Sequence, residues 1–201
     1  MEPSVKGSVV QATVTALAKL RASRRVSEEQ LAARVSKGAL ALADTKVEPG
    51  LWYPIRPYNE LVDFLWDLEG RRDDAMREAG VRSADAMSER GTYQQLEYAD
   101  RVTRAPTRDD LIRQTRLIAS VVPALYNFVK LSVRLSADEQ YVEIVYANAE
   151  LFCDALRIST EGFMTRVNER QGSQRTWTSE RTRPDEIVFR MRVPDRYTSR
   201  S

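Results

Sequence analysis

The sequence of 201 residues contains no histidine and a single cysteine, Cys153. Catalytic Ser-His-Asp and Cys-His arrangements, histidine-ligated zinc and haem held by a proximal histidine are therefore excluded. One thiol can neither close an internal disulfide nor build a thiolate metal cluster. The phosphate-binding patterns GxGxxG and GxxxxGK[ST] are also missing, which removes the two commonest phosphate cradles.

The sequence also lacks a long apolar run and an excess of one charge. No stretch approaches the ~20 apolar residues that cross a bilayer, and the start MEPSVKGSVVQ has no secretory pattern. The net charge is only +2, with 30% charged and 42% hydrophobic residues. These features predict a globular protein of the cytoplasm with no membrane attachment, and they argue against nucleic acid as a partner.

Helical spacing of apolar residues dominates residues 1–127. Three pairs have the spacing of helix-capping residues: Ser8 with Gln11, Ser27 with Gln30, and Thr107 with Asp110. The prolines of LWYPIRP, residues 51–57, predict a rigid extended connector into a helix that stops at Gly70. A later row of small residues, Gly80 and Ala84 between two methionines, allows a neighbouring backbone to come close.

The hydrophobic period changes from 3.6 to 2 near residue 128. FVKLSVRLS and YVEIVYANA predict one β-hairpin, and SQRTWTSE with EIVFRMRV predicts a second. The helix between them is predicted to be capped by Asn148 and to close near Gly172. The fold class is α+β, with N-terminal helices packed on a C-terminal four-stranded antiparallel sheet (β-β-α-β-β). We expect one domain over 1–201: a helical part at 1–127, the sheet part at 128–193 and a flexible tail at 194–201.

Short motifs carry a family resemblance over most of the chain: VKGSV at 5–9, WYP at 52–54 with Tyr58 and Leu61 after it, and the layout of 128–193. The chain resembles the superfamily that joins haem nitric-oxide/oxygen-binding domains with vinyl-reductase-type small-molecule-binding domains. Within it, the chain is most similar to a paralogous family expanded in myxobacteria. The resemblance implies the fold, a cavity between helices and sheet, a sensory or adaptor role and a homodimer.

The sequence departs from the haem-binding members at their functional positions. Their tyrosine–serine–arginine signature falls on Tyr146, Asn148 and Glu150, so only the tyrosine is kept. The vinyl-reductase-type relatives often carry several cysteines, whereas this chain has only Cys153. The sequence therefore predicts no cofactor and no metal site.

The densest aromatic stretch, PGLWYPIRPYNELVDFLWDLEG at 49–70, has three interpretations. It can be a latch that packs on the core, the wall of a ligand pocket, or an exposed interface. The ligand-binding candidates are Trp52, Tyr53, Tyr58, Tyr126 and Phe152. Trp66 lies off the apolar stripe of its helix and is the interface candidate for a homodimer.

The function that these features favour is a non-enzymatic regulatory or adaptor module. It would bind a small apolar ligand or a protein partner in signalling. No catalytic residue is predicted, because the carboxylate pairs such as Asp109-Asp110 lie at helix starts or in a turn, where the helix dipole and solvation explain them. Two alternatives stay open: an enzyme that uses tyrosine, lysine or carboxylate groups in a helix–sheet cavity, and a structural protein that only oligomerises.

Overall fold

A computed structural model describes residues 2–89 and 108–193 of the chain. The first part contains β1 (Ser4–Lys6), α1 (Gly7–Ala22), α2 (Glu28–Ala32), α3 (Lys37–Ala43), β2 (Trp52–Pro54), α4 (Ile55–Leu68) and α5 (Asp73–Glu89). The second part contains α6 (Arg108–Val121), a 3-10 turn (Val122–Ala124), β3 (Lys130–Leu135), β4 (Tyr141–Ala147), α7 (Asp154–Arg170), β5 (Trp177–Arg183) and β6 (Glu186–Arg192). The predicted α+β class is confirmed.

The main sheet has four antiparallel strands in the order β3-β4-β6-β5. Alternate residues of a strand point to one face, which explains the period of 2 in the sequence. Ile144 on β4, for example, stands between Val133 on β3 and Phe189 on β6. This face shares one hydrophobic core with the helices, and α6 and α7 pack against the sheet.

Helices α5 and α7 cross at two glycines. A Cβ atom at Gly80 would lie 1.8 Å from the carbonyl oxygen of Ser159, and one at Gly162 would lie 1.9 Å from that of Arg77. The close approach predicted from the small residues is therefore confirmed. Beside the crossing, the buried carboxylate of Glu161 accepts hydrogen bonds from Arg77 Nε (2.7 Å) and Ser179 Oγ (2.6 Å).

The N-terminal cap predicted at Ser8 is wrong. Helix α1 begins two residues earlier, at Gly7 with Lys6 as its N-cap residue, and its first N–H groups donate to carbonyls from a distant loop. Gly7 N donates to Leu51 O at 2.8 Å, and Ser8 N donates to Pro49 O at 3.1 Å. These carbonyls come close because β1 pairs with β2, so a non-local contact replaces the local cap.

The second capping pair is confirmed: Ser27 and Gln30 form a reciprocal capping box at α2. A separate helix, α3, then begins after Ser36, whose side chain accepts from Ala39 N. Helix α6 stops at Val121, two residues before Pro123, whose ring cannot continue a helix. The predicted cap at Thr107 and the predicted tail at 194–201 lie outside the described residues.

The start predicted for α7 is wrong by several residues. Asn148 does not cap the helix but adopts a left-handed conformation with φ 57°. The chain then runs as a loop, residues 148–153, and α7 begins at Asp154 with Cys153 as its N-cap residue. Ala149 N donates to Asp185 O at 2.8 Å, so the turn between β5 and β6 holds this loop away from the helix.

Candidate ligand site at the helix–sheet joint

Five aromatic rings meet where helices and sheet join. We call this cluster the aromatic joint: Tyr126, Phe128, Tyr146, Phe152 and Phe189. The ring of Phe152 lies 5.1 Å from that of Tyr126 and 5.4 Å from that of Tyr146, both in edge-to-face geometry. Tyr146 lies 4.8 Å from Phe189. Each such pair contributes about 0.5–1.5 kcal/mol beyond the apolar area that it buries.

The aromatic joint is assembled from four separate segments. Tyr146 and Phe189 point to the core face of β4 and β6, and Tyr126 follows the 3-10 turn. Phe152, fully buried, comes from the 148–153 loop. Asn59 on α4 donates from Nδ2 to Leu151 O at 2.8 Å, which ties this loop to the helical part.

Two of the five predicted ligand residues, Tyr126 and Phe152, lie in the aromatic joint. Tyr58 is buried on α4, where its hydroxyl accepts from Thr13 Oγ1 at 3.3 Å. The predicted ligand-binding residues do not include Tyr146, Phe189 and Phe128, which are the other members of the aromatic joint. Strand alternation marks Tyr146 as inward-facing in the sequence, but alternation alone does not indicate which other segments it meets.

Tyr53 and Trp52 lie on β2, beside the start of α1. Tyr53 Oη accepts from Glu48 N at 2.9 Å, and a Cβ atom at Gly7 would lie 2.9 Å from Tyr53 Cε2. The Trp52 side chain is 40% exposed, with Lys6 Nζ 4.5 Å from the ring centroid. The pairing of β2 with β1 and the contacts of Tyr53 therefore hold this segment against the start of α1, as a latch does. The interpretation of Trp52 as a buried plug is wrong, because β2 turns that side chain outward.

Trp52→Ala is expected to lower the free energy of unfolding by less than about 1 kcal/mol, because an exposed cation–π contact contributes about 0.5–1 kcal/mol. Ile55→Ala, three residues along and 1% exposed, is the control and should cost about 2–5 kcal/mol. Urea denaturation of both variants measures the difference. A loss for Trp52→Ala as large as that for Ile55→Ala would contradict the exposed position.

The expectation that Trp66 is exposed is wrong, since its side chain is only 9% exposed. Helix α4 ends in a Schellman turn, in which Arg71 N donates to Trp66 O (2.9 Å) and Gly70 N to Asp67 O (3.0 Å). Left-handed conformations at Gly70 and Arg71 fold the chain back. The Arg71 guanidinium then covers the indole at 4.8 Å. The interface role of Trp66 stays a prediction.

Three titratable groups with raised pKa values lie where α4 meets the start of α7. Burial, with a contribution from Asp63, raises the pKa of the Cys153 thiol to about 12. Burial likewise raises the pKa of the Tyr58 phenol. The pKa of Asp63 is raised by burial and by the charges of Asp67 and Asp154, against the lowering effect of Arg71. Thiol and phenol are un-ionised at neutral pH, so neither is an activated nucleophile.

Asp63→Asn is expected to stabilise the protein at neutral pH by roughly 0.5 kcal/mol, a small effect because the group is only half-buried. The raised pKa means that the folded state holds this proton more tightly than the unfolded state does. Asp63 therefore does not reduce the free energy of unfolding below the ordinary pKa of 3.8. Its effect on that free energy becomes unfavourable as the pH rises through the raised pKa. Unfolding free energies measured from pH 3 to pH 8 check the gain, which should vanish in acid.

Asp67→Asn, one helical turn away, is the matched control with the opposite sign. The side-chain hydrogen bond from Arg71, and then that from Arg34, lower the pKa of Asp67. Its carboxylate therefore contributes stability above the ordinary pKa that is lost as the pH falls through the lowered value. The substitution should destabilise at neutral pH. The same sign for both variants at pH 7 would contradict the assigned environments.

An open groove of about 210 Å³ runs beside these carboxylates, lined by Arg34, Glu60, Asp63, Phe64 and Asp67. The Glu60 carboxylate accepts hydrogen bonds from Ser36 N (2.6 Å) and from Ser36 Oγ (3.0 Å). Within residues 2–89 and 108–193, no group of three or more acidic or cysteine side chains could hold a metal ion. In the same residues, no helix has the length and apolar character of a membrane span.

The haem that the family resemblance suggests does not fit the residues of the joint. The chain has no histidine, and the raised pKa of about 12 keeps the Cys153 thiol from serving as a thiolate ligand. Burial raises the pKa of the Tyr146 phenol as well. The rings of Tyr126, Phe152 and Tyr146 pack edge to face and offer no iron ligand in place of the histidine.

No family model and no curated protein matches the sequence. Among solved structures, the chain is similar to an Fe(II) unliganded H-NOX protein of K. algicida, in an alanine-to-glycine mutant, with a TM-score of 0.62 and 13% identity over 96% of this chain and 98% of that one. The same protein without that mutation gives a TM-score of 0.58, with 11% identity over 94% and 97% of the two chains. An isoleucine-to-phenylalanine mutant of T. Tengcongensis H-NOX gives 0.53, with 10% identity over 93% and 96%. The chain therefore has the H-NOX fold over nearly its whole length.

Proposed function

We propose that this chain is a non-enzymatic regulatory module on the H-NOX fold that binds a small apolar ligand at the aromatic joint. The observation that carries the proposal is the joint itself. Tyr126, Tyr146, Phe152 and Phe189 bring apolar rings from four segments into one buried cluster. Small-molecule sites are lined by such side chains with few polar groups. The similar solved structures are named as H-NOX proteins, and the ligand of this chain is a separate proposal that does not come from them.

Two buried carboxylates of the described residues are held in ion pairs, and Glu143 lies on the face of β4 opposite Tyr146, which disfavours an enzyme. The buried carboxylate of Glu161 is paired with Arg77 at 2.7 Å. That of Glu143 lies between Arg134 (2.8 Å) and Arg190 (2.9 Å). Among the described residues, these acids are held by guanidinium groups, whereas the phenol of Tyr146 stays protonated. A general base or activated nucleophile needs the opposite condition.

The packing of the joint indicates how a ligand would enter. Ring centroids at 4.8–5.4 Å leave the rings in contact, so one ring has to move. Tyr146 and Phe189 are fixed by the two central strands. Phe152 belongs to a loop, and loops rearrange more readily than paired strands. Phe152 is therefore the wall that we expect to open.

The family resemblance supports the finer parts of this proposal. The missing histidine sets the chain apart from the haem-binding members, so the vinyl-reductase-type branch, and within it the paralogous family expanded in myxobacteria, stays the proposed kinship. We also propose that residues 1–201 form a single cytoplasmic domain that acts as a homodimeric adaptor in signalling.

A protein partner is the second candidate, because two apolar side chains are exposed side by side. Leu51 is 53% exposed and Trp52 is 40% exposed, next to the amino group of Lys6. Exposed tryptophan beside a cation is typical of interface residues. This patch lies at the start of β2, and β1 stands between it and Tyr126, to which Val5 is bridged. Its side chains are exposed whereas the rings of the joint are buried, so substitutions separate the two candidates.

The test is a titration with Nile red, a neutral apolar dye whose fluorescence rises in apolar surroundings. Wild type should bind one dye per chain, and Phe152→Leu should change the dissociation constant at least about tenfold, the lower end of the effect of one methylene group in an apolar pocket. Trp52→Ala should leave it unchanged. A dissociation constant that responds only to Trp52→Ala would favour the partner surface, and a folded wild type that binds no dye would overturn the ligand proposal.

A further inference from the structure

Arg181 stands at an irregular point of the sheet, next to the loop that carries Phe152. It pairs with Ile187 across β5 and β6, and the register shifts between Arg181 and Arg183. Such bulges turn a side chain out of the regular alternation. The Arg181 side chain is about one quarter exposed, at 26%. Its guanidinium is therefore directed along the end of the sheet rather than into solvent.

The guanidinium of Arg181 spans both ends of the 148–153 loop. Nη1 donates to Ala149 O at 3.2 Å and to Pro184 O at 3.0 Å. Nη2 donates to Phe152 O. Nε lies 3.5 Å from Asp154 Oδ1, at the first residue of α7. One planar group thus joins the loop to the turn after β5 and to the start of the helix.

The acceptors that Arg181 serves are buried main-chain groups. Ala149 and Phe152 are both fully buried, so their carbonyl groups have little access to water as an alternative partner. Only guanidinium presents several donors in one plane, and a lysine ammonium cannot reach the same set from a single nitrogen. Loss of Arg181 would take this donor from the buried Phe152 carbonyl, whereas Ala149 O would keep its bond from Phe152 N, so the hold on the Phe152 end of the loop would weaken.

We propose that Arg181 is the positioning residue of the ligand site, which holds the 148–153 loop so that Phe152 closes the aromatic joint. The assignment of a ligand to that joint rests on the proposed function, whereas the hold on the loop rests on the hydrogen bonds alone. Asn59 on α4 secures Leu151 O from the other side. Release of Arg181 therefore frees Phe152 without detaching the loop from the helical part.

The test compares Arg181→Met with Arg183→Met, a control at an exposed arginine of the same strand. Amide hydrogen exchange is measured first, on the protein without dye. Phe152 N donates to Ala149 O (3.0 Å) and Ala149 N to Asp185 O (2.8 Å), so both amides report on the loop. Arg181→Met should speed their exchange at least about tenfold, and ring-to-ring NOEs from Phe152 to Tyr126 should weaken. Arg183→Met should change neither.

Arg181→Lys keeps the charge and should give an intermediate exchange rate. If Arg181→Met does not fold, Arg181→Lys takes its place in the experiment. Unchanged exchange and unchanged NOEs in the folded Arg181 variants would overturn the inference, whether or not wild type binds Nile red. Faster exchange together with an altered dissociation constant for the dye supports both proposals. Faster exchange in a protein that never binds the dye would support Arg181 as the residue that holds the 148–153 loop. It would overturn the proposal that the joint binds a ligand.

Discussion

Gly162→Ala is expected to destabilise the protein by about 3 kcal/mol or more, at the upper end of the cost of overpacking a core. The new Cβ atom would lie 1.9 Å from the carbonyl oxygen of Arg77 and 2.7 Å from its carbonyl carbon. Both are main-chain atoms of α5, so no side-chain rotation relieves the overlap. The two helices have to separate, which also strains the contact between Arg77 and Glu161.

Gly38→Ala is the matched control, because Gly38 also lies inside a helix. Its Cβ atom would meet Pro57 Cγ at 3.5 Å, which is an ordinary contact. Alanine favours helix over glycine by up to about 1 kcal/mol, so this variant should be neutral or more stable. Thermal and urea denaturation of the two variants give the comparison. A Gly162→Ala protein as stable as Gly38→Ala would contradict the close crossing of α5 and α7.

Phe152→Ala is expected to lower the free energy of unfolding by about 3–5 kcal/mol, as for other buried phenylalanines. The ring is fully buried and touches Tyr126 on one side and Tyr146 on the other. Its removal leaves a cavity at the centre of the aromatic joint. Urea denaturation measures the loss, and near-ultraviolet circular dichroism should report the freed tyrosine rings.

Phe128→Ala is the control for Phe152→Ala, since it removes the same ring from the edge of the same cluster. Phe128 is half-buried and makes one aromatic contact, at 6.1 Å to Tyr126. Its loss should cost about 1–2 kcal/mol, within the usual range for a single substitution. Equal costs at the two positions would mean that Phe152 is not the centre of the joint.

The elements of the fold could be predicted because their signals are local. The alternation around Ile144 requires only neighbouring residues, and so does the capping box of Ser27 and Gln30. A close approach to α5 was also predictable, since Gly80 offers no side chain to keep a neighbour away, but the pattern did not identify α7 as that neighbour. Each of these patterns is contained in one segment and carries its own physical reason.

The predictions that were wrong depend on contacts between distant segments. Ser8 has the spacing of a helix cap, but carbonyls at Pro49 and Leu51 take that role once β1 pairs with β2. Asn148 resembles a cap in the sequence, yet the turn around Asp185 holds the following residues in a loop. Local patterns contain no information about these partners.

The aromatic joint was only partly predictable for the same reason. Tyr126 and Phe152 were among the predicted ligand-binding residues. Their partners Tyr146 and Phe189 could be read as strand residues, but not as neighbours, because strand order β4-β6 brings them together. Trp52 was predicted to bind a ligand because it belongs to the dense aromatic stretch. In the structure, the three-residue strand β2 turns its side chain to the surface.

The most direct measurement is an NMR experiment that records NOEs between bound Nile red and the protein. If the dye binds in the aromatic joint, it should give cross-peaks to the rings of Tyr126, Tyr146 and Phe152. The NOEs between Phe152 and the two tyrosines should become weaker at the same time. Cross-peaks confined to Leu51 and Trp52, or none at a saturating dye concentration, would contradict the assignment of the joint as the ligand site.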